Sequence, residues 1–185
     1  IVKNAIGRRQ NMTITKLRGA AAIIAVATGL AGPALAQDST NVVATEGDWT
    51  VFAGSNPKEC WAVSPPKSSA NTRDGQTVQV DRGDIRLYIA YRPGAAGEVS
   101  FTGGYPFKPG STVAVNIGGT KFDLFTEGEN AWTGSNGDDA KLIAALRAGS
   151  SATLTAVSAR GTQTVDTFSL SGITAATNAA KSNCQ

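Results

Sequence analysis

From residue 85 onward the apolar side chains fall on every second position, in short runs that glycine keeps interrupting. Ile85, Leu87, Ile89 and Tyr91 point to one face of an extended chain, with Arg86 and Tyr88 on the other. Strict alternation of this kind marks a half-buried strand. Val113, Val115 and Ile117 repeat it up to Gly118-Gly119, and Phe122 and Leu124 answer from beyond that two-residue turn. A glycine pair supplies the positive φ that a primed hairpin turn needs. Residues 151–159 and 163–170 form a second hairpin around Arg160-Gly161-Thr162. Shorter pieces at 49–52, 60–63, 77–80 and 99–101 complete the pattern, while 64–75, with Pro65-Pro66 and Asp74-Gly75, reads as a loop. Eight to ten short antiparallel strands predict a mainly β fold, a single-domain β-sandwich or barrel.

Two helices interrupt the strands. Ser135 stands three residues before Asp138, Leu142, Ile143 and Leu146 follow at helical spacing, and Arg147 and Gly149 close the segment. A capping oxygen, acids in the first turn and a cation in the last predict one short helix before the last hairpin. At the C-terminus Ile173, Ala176, Thr177, Ala180 and Cys184 share one helical face. That helix packs down with its cysteine inward.

The front of the chain has a different character. Lys3, Arg8, Arg9, Lys16 and Arg18 lead into an apolar run over residues 20–30; Gly32-Pro33 ends it, and Ala34-Leu35-Ala36 fits a signal-peptidase site. The run is shorter than the roughly 20 residues a bilayer span requires. Residues 1–36 are therefore expected to be a removed signal peptide, in which Met12 is a candidate initiator and residues 1–11 are either an extended basic region or untranslated. Residues 37–46 are expected to be a flexible tether and 47–185 the folded domain. Five of the 17 basic residues lie in the leader, which has no acid; the remainder carries 12 basic and 14 acidic residues, a net charge of −2. Such a domain has no electrostatic case for nucleic acid, and no transmembrane segment remains after signal removal.

Export suits the two cysteines, Cys60 and Cys184, because disulfides persist outside the cytoplasm. Redox pairs usually sit close together, as in Cys-x-x-Cys. These two are far apart in sequence and are expected to form a structural bridge. In the chain-entropy model, closing a loop of about 100 residues stabilises by roughly 4.7 kcal/mol.

The chemistry is sparse. The chain has no histidine, which removes Ser-His-Asp and Cys-His catalysis and every histidine-containing metal site. No glycine-rich phosphate loop is present. Glu127, Glu129, Asp138 and Asp139 could furnish a carboxylate pair for glycoside hydrolysis or oxygens for calcium, but helix capping accounts for the two aspartates, and the spacing is not that of an EF-hand. No cofactor, metal or catalytic residue is assigned. Arg82-Gly83-Asp84 spells an integrin-type tripeptide at an ordinary turn. Tyr105-Pro106-Phe107 either plugs the end of the fold or offers a rigid amphipathic contact. Together, Tyr105, Pro106, Phe107, Arg82 and Asp84 form the candidate interaction surface. Trp49, Trp61 and Trp132 are assigned to the core.

In combination these stretches resemble the invasion-associated locus B family of exported bacterial proteins. The resemblance runs from Asp48-Trp49 through Asn56-Pro57-Lys58-Glu59-Cys60-Trp61-Ala62-Val63-Ser64 to Arg82-Gly83-Asp84. It continues through Gly97-Glu98-Val99-Ser100-Phe101-Thr102-Gly103-Gly104-Tyr105-Pro106-Phe107, Phe122-Asp123-Leu124-Phe125 and Ala131-Trp132. Asp138-Asp139-Ala140-Lys141, Ser158-Ala159-Arg160-Gly161-Thr162, Asp166-Thr167-Phe168-Ser169-Leu170-Ser171-Gly172 and Cys184 complete it. It implies a mostly β envelope domain associated with host-cell entry, and it supplies no catalytic residues. Many relatives carry a cysteine four residues after the first Trp, where Ala53 stands here. The expectation is a periplasmic, non-catalytic interaction module that recognises an unidentified envelope protein or a surface glycan. The alternatives are a carboxylate-based hydrolase of envelope polysaccharide and a purely structural envelope component.

Overall fold

Residues 41–185, which the computed structural model describes, hold twelve strands and two helices. The expected leader, and residues 37–40 of the expected tether, lie outside the described residues. In chain order the strands are β1 (Asn41–Glu46), β2 (Trp49–Ser55), β3 (Lys58–Ser64), β4 (Ser68–Arg73), β5 (Gln76–Thr77), β6 (Arg86–Tyr91) and β7 (Glu98–Thr102). Then come β8 (Thr112–Ile117), β9 (Thr120–Glu127), β10 (Asn130–Trp132), helix α1 (Asn136–Ala148), β11 (Ser151–Val157), β12 (Gln163–Ser169) and helix α2 (Ile173–Asn183).

All pairings are antiparallel, in the single order β1-β2-β3-β6-β7-β10-β9-β8-β11-β12-β4-β5. This corrects the expected eight to ten strands in a sandwich or barrel. The sheet does not close. It also does not divide in two, because the three-residue β10 pairs with β7 on one side and β9 on the other. The extra strands come from segments read as tether and loop. Residues 41–46 pair with β2 at one end of the order, and Ser68–Arg73 pairs with β12 near the other. The strand expected at 77–80 shrinks to the two residues of β5.

The sheet curls until its inner face packs on itself. Phe101 of β7 meets Phe168 of β12 edge-on at 6.1 Å, although four strands separate them in the order. Trp49 Nε1 on β2 donates to the Ser169 carbonyl on β12 at 3.1 Å with no ladder between the two strands. Val51, Leu87, Ile89, Val99, Val113, Leu124 and Leu154 fill the space between. Of the three tryptophans only Trp49 joins this core. The register sets Trp61 opposite Phe52 and Trp132 opposite Phe125, on the face away from it.

Both helices form as expected. The Ser135 hydroxyl accepts from the Asp138 amide at the start of α1, and Leu142 and Leu146 are buried. Asp139 does more than cap: it is 4% exposed and accepts from the Val99 amide of β7 at 2.8 Å, which ties α1 to the sheet. Helix α2 buries Ile173, Ala176, Thr177 and Ala180. At its end Cys184 is bonded to Cys60 of β3, with Cα atoms 5.8 Å apart.

Candidate functional site

The candidate surface residues diverge sharply in the fold, and Arg82 is where they separate. Its side chain, 6% exposed, runs inward from the segment between β5 and β6 and forms a two-pronged ion pair with Asp166 of β12. The Nη1–Oδ1 and Nη2–Oδ2 distances are 2.8 and 2.7 Å. Arg82 also donates from Nε and Nη2 to the Gly103 carbonyl, and Asp166 Oδ1 accepts from the Ser69 hydroxyl at 2.6 Å. Taking two charges out of water costs several kcal/mol each unless geometry and further hydrogen bonds compensate. Here the guanidinium and the carboxylate are bonded to each other and to flanking groups.

The glycines make this docking possible. Gly83 donates to the Gly104 carbonyl at 2.8 Å. Gly104 has φ of 72°, and a Cβ there would fall 2.6 Å from the Gly83 oxygen. Beyond it the Tyr105 ring covers the guanidinium, 4.9 Å from ring centre to Cζ, and its hydroxyl is hydrogen-bonded to Thr164. Arg73 Nη2 donates to Thr162 at 2.6 Å on the same wall. Above this floor lies a cleft of about 570 Å³, bordered by Arg73, Asp81, Tyr105, Pro106, Glu129 and Arg160. It is polar, carries both signs of charge at its rim, and has an aromatic wall.

Arg82, Tyr105 and Pro106 thus meet at one site. Phe107 does not: it is 5% exposed, and its ring packs on Phe101 at 6.1 Å and on Tyr105 at 5.2 Å. It belongs to the core, not to a contact surface. Asp84 is exposed and pairs with Arg86, away from the cleft lining. The Arg-Gly-Asp tripeptide is therefore no presented loop, because its arginine is buried. The carboxylates considered for hydrolysis scatter likewise. Asp138 is engaged by Ser135 and Lys141, Asp139 by the Val99 amide, Glu127 is exposed, and only Glu129 borders the cleft. Among the described residues no three cysteines or carboxylates group as a metal site, and no helix is long and apolar enough to cross a membrane.

Sequence reasoning missed Asp166, Ser69 and Thr164. One signal for Asp166 existed: it sits at an inward position of β12, two residues before Phe168, where a carboxylate needs a cation.

Burial pushes the phenols of Tyr88, Tyr91 and Tyr105 above the ordinary tyrosine value; for Tyr105 the Thr164 hydrogen bond and Arg82 oppose the shift. A raised folded value means the native state keeps the proton longer. The associated stability is intact below about pH 10 and is lost as pH rises through the folded values. Ultraviolet titration of tyrosinate in the native protein should therefore lag behind the urea-unfolded chain, with Tm falling over the same alkaline window. Coincident titrations would contradict this.

A family model described as invasion associated locus B (IalB) protein matches residues 49–181. The fold is similar to the crystal structure of invasion associated protein B from Bartonella henselae. That match has 18% sequence identity and a TM-score of 0.52, and it covers 74% of this chain and 94% of that one. At that identity the likeness is one of fold. No curated protein matches the chain.

Proposed function

Because the chain belongs to the invasion associated locus B family, we propose that it acts outside the cytoplasm, in the bacterial envelope, as a non-catalytic interaction module whose partner seats in the Tyr105 cleft. The observation that carries this reading is the cleft floor. Arg82, Asp166, Tyr105 and Thr164 are engaged with one another, and together they hold a preformed, polar, aromatic-walled recess. Preorganisation of this kind favours binding, because little side-chain freedom is left to lose when a partner arrives. Catalysis would instead call for a nucleophile or a proton-transfer pair aimed into the recess, and Arg82 and Asp166 are directed at each other. The bridge between Cys60 and Cys184 supports an oxidising compartment, in which such bonds persist. A basic leader ahead of an apolar run supports periplasmic delivery.

The test is site-specific photocrosslinking in intact cells of the source bacterium. A photoreactive residue replaces Pro106 or Arg160 at the cleft rim, and Lys141 on α1, outside the cleft, serves as control. The cleft positions should give a discrete adduct, identified by mass spectrometry, that is absent from the Lys141 position. No adduct from either cleft position, or the same adducts from all three, would overturn the assignment.

A further inference from the structure

Five of the twelve aromatic side chains take no part in the core. Phe52, Trp61, Tyr88, Phe125 and Trp132 are neither buried nor packed against the core cluster. They alternate with inward residues and so stand on the outer face of the curled sheet, where polar residues are the ordinary occupants.

Their register is the informative part. Tyr88 lies opposite Ser100, Ser100 opposite Trp132, and Trp132 opposite Phe125. The four form one straight row across β6, β7, β10 and β9. The Trp132 and Phe125 rings are 5.9 Å apart with planes inclined by only 33°, and Phe125 is 48% exposed. Neighbouring strands lie about 4.8 Å apart, so Tyr88 and Trp132 stand about 9.6 Å apart with a serine hydroxyl midway. On the adjacent strands Trp61 reaches over Gly54, where a Cβ would come within 3.3 Å of the indole.

Charge narrows what fits such a row. Arg92 bridges Glu59 and Glu98, and Arg86 is held by Asp84. The arginines bordering the row are thus neutralised and offer little to a polyanion. A protein partner would want protruding apolar anchors around a dry centre. This row instead sets a serine hydroxyl between the half-buried rings of Tyr88 and Trp132 and continues into Phe125, and the Thr102–Asn130 hydrogen bond lies alongside it. Tyr88 and Trp132, two strands apart with a hydroxyl between them, suit a chain of sugar rings, and Phe125 extends the apolar surface at one end. Such a chain shows a C–H face to each ring and hydroxyl edges to the polar group between. In an extended β-linked polysaccharide, alternate residues present the same face at a repeat close to two strand spacings.

We infer that the row Tyr88, Ser100, Trp132 and Phe125 is a stacking platform for an uncharged β-linked glycan lying across the strands. The platform shares no residue with the Tyr105 cleft, so it stands or falls separately from the function proposed above.

The probe is cellohexaose added to the disulfide-bonded protein. Binding is followed by calorimetry and by tryptophan fluorescence, to which the buried Trp49 contributes little change. Saturable binding in the micromolar to millimolar range is expected, with maltohexaose, whose α linkages curve the chain, binding much more weakly. Trp132→Ala combined with Tyr88→Ala should weaken binding by about tenfold or more, while Trp132→Phe, which keeps a ring, should retain most of it. Unchanged circular dichroism and Tm would show that the variants fold. No saturable binding, equal affinity for maltohexaose, or indifference to the double substitution would overturn the inference. So would sedimentation showing that a second copy of the chain occupies this face.

Discussion

Replacing Cys60 and Cys184 together lowers the thermal midpoint by on the order of 10 °C and opens α2 before the rest of the fold. The bridge spans 124 positions, from the third strand to the cap of the last helix. Bridges in comparable domains contribute about 2–5 kcal/mol, against total stabilities of about 5–15 kcal/mol. The buried face of α2 is Ile173, Ala176, Thr177 and Ala180. One isoleucine is worth about 1.5–3 kcal/mol and each alanine methyl about 0.8 kcal/mol. Fixing eleven helical residues costs more than that in conformational entropy. Packing alone therefore holds the helix weakly, and the covalent link is what keeps its end on the sheet. Both sulfurs are buried, so Cys→Ser leaves two hydroxyls out of water; Cys→Ala separates that effect from loss of the bond. In either double variant trypsin should cut after Lys181, in the exposed last turn, well before it cuts elsewhere. A midpoint within about 2 °C of the parent, a shift worth less than about 1 kcal/mol, with Lys181 still protected, would show that packing suffices.

Some of this fold could be read from the residues and some could not, for physical reasons. The helices were legible because their signals are local: Ser135 caps α1 within four residues, and the packed face of α2 repeats at helical spacing. Strands β6, β8, β9 and β11 were legible because the inward residues of each are apolar, which forces alternation, whereas β12, whose buried face is Thr164, Asp166 and Phe168, was legible from the hairpin turn that joins it to β11. Strands β1 and β4 hid because they lie at or near the open ends of the order and carry no fully buried residue. An edge strand needs only backbone partners, and those leave no mark on composition. The outer aromatic row was invisible for a related reason. Alternation says that Trp61 and Cys60 face opposite ways, but only the pairing register says which way is out. The candidate site was half legible. Tyr105 and Pro106 were singled out for their chemistry, and both line the cleft. The place of Phe107 was not legible, because an aromatic beside a proline looks the same in sequence whether it plugs a core or faces water. Asp166 escaped because its partner is 84 positions away, and nothing near either residue announces the pair.

Asp166→Ala should destabilise the protein by about 3–5 kcal/mol, the range seen when one member of a buried ion pair is removed. The change leaves Arg82, whose side chain is 6% exposed, without its counter-charge, and it strips the Ser69 hydroxyl of its acceptor. Arg82→Met strands the carboxylate instead and should cost somewhat less. A lone buried carboxyl can take up a proton and become neutral, whereas a guanidinium cannot shed one. Removing both charges together, as Arg82→Met with Asp166→Leu, should recover much of the loss, because an apolar pair of similar volume is often as stable as the ion pair it replaces. Recovery should stop short of full in the cleft. Gly103 would lose two donors and Tyr105 the cation under its ring, so the recess would loosen even where the global fold is restored. Urea unfolding of the four proteins measures the coupling, and crosslinking yield at Pro106 measures the recess. If the double variant is as unstable as the sum of the singles, the two side chains act independently. If it regains stability and crosslinks at the parental yield, the pair serves folding alone and the cleft does not depend on it.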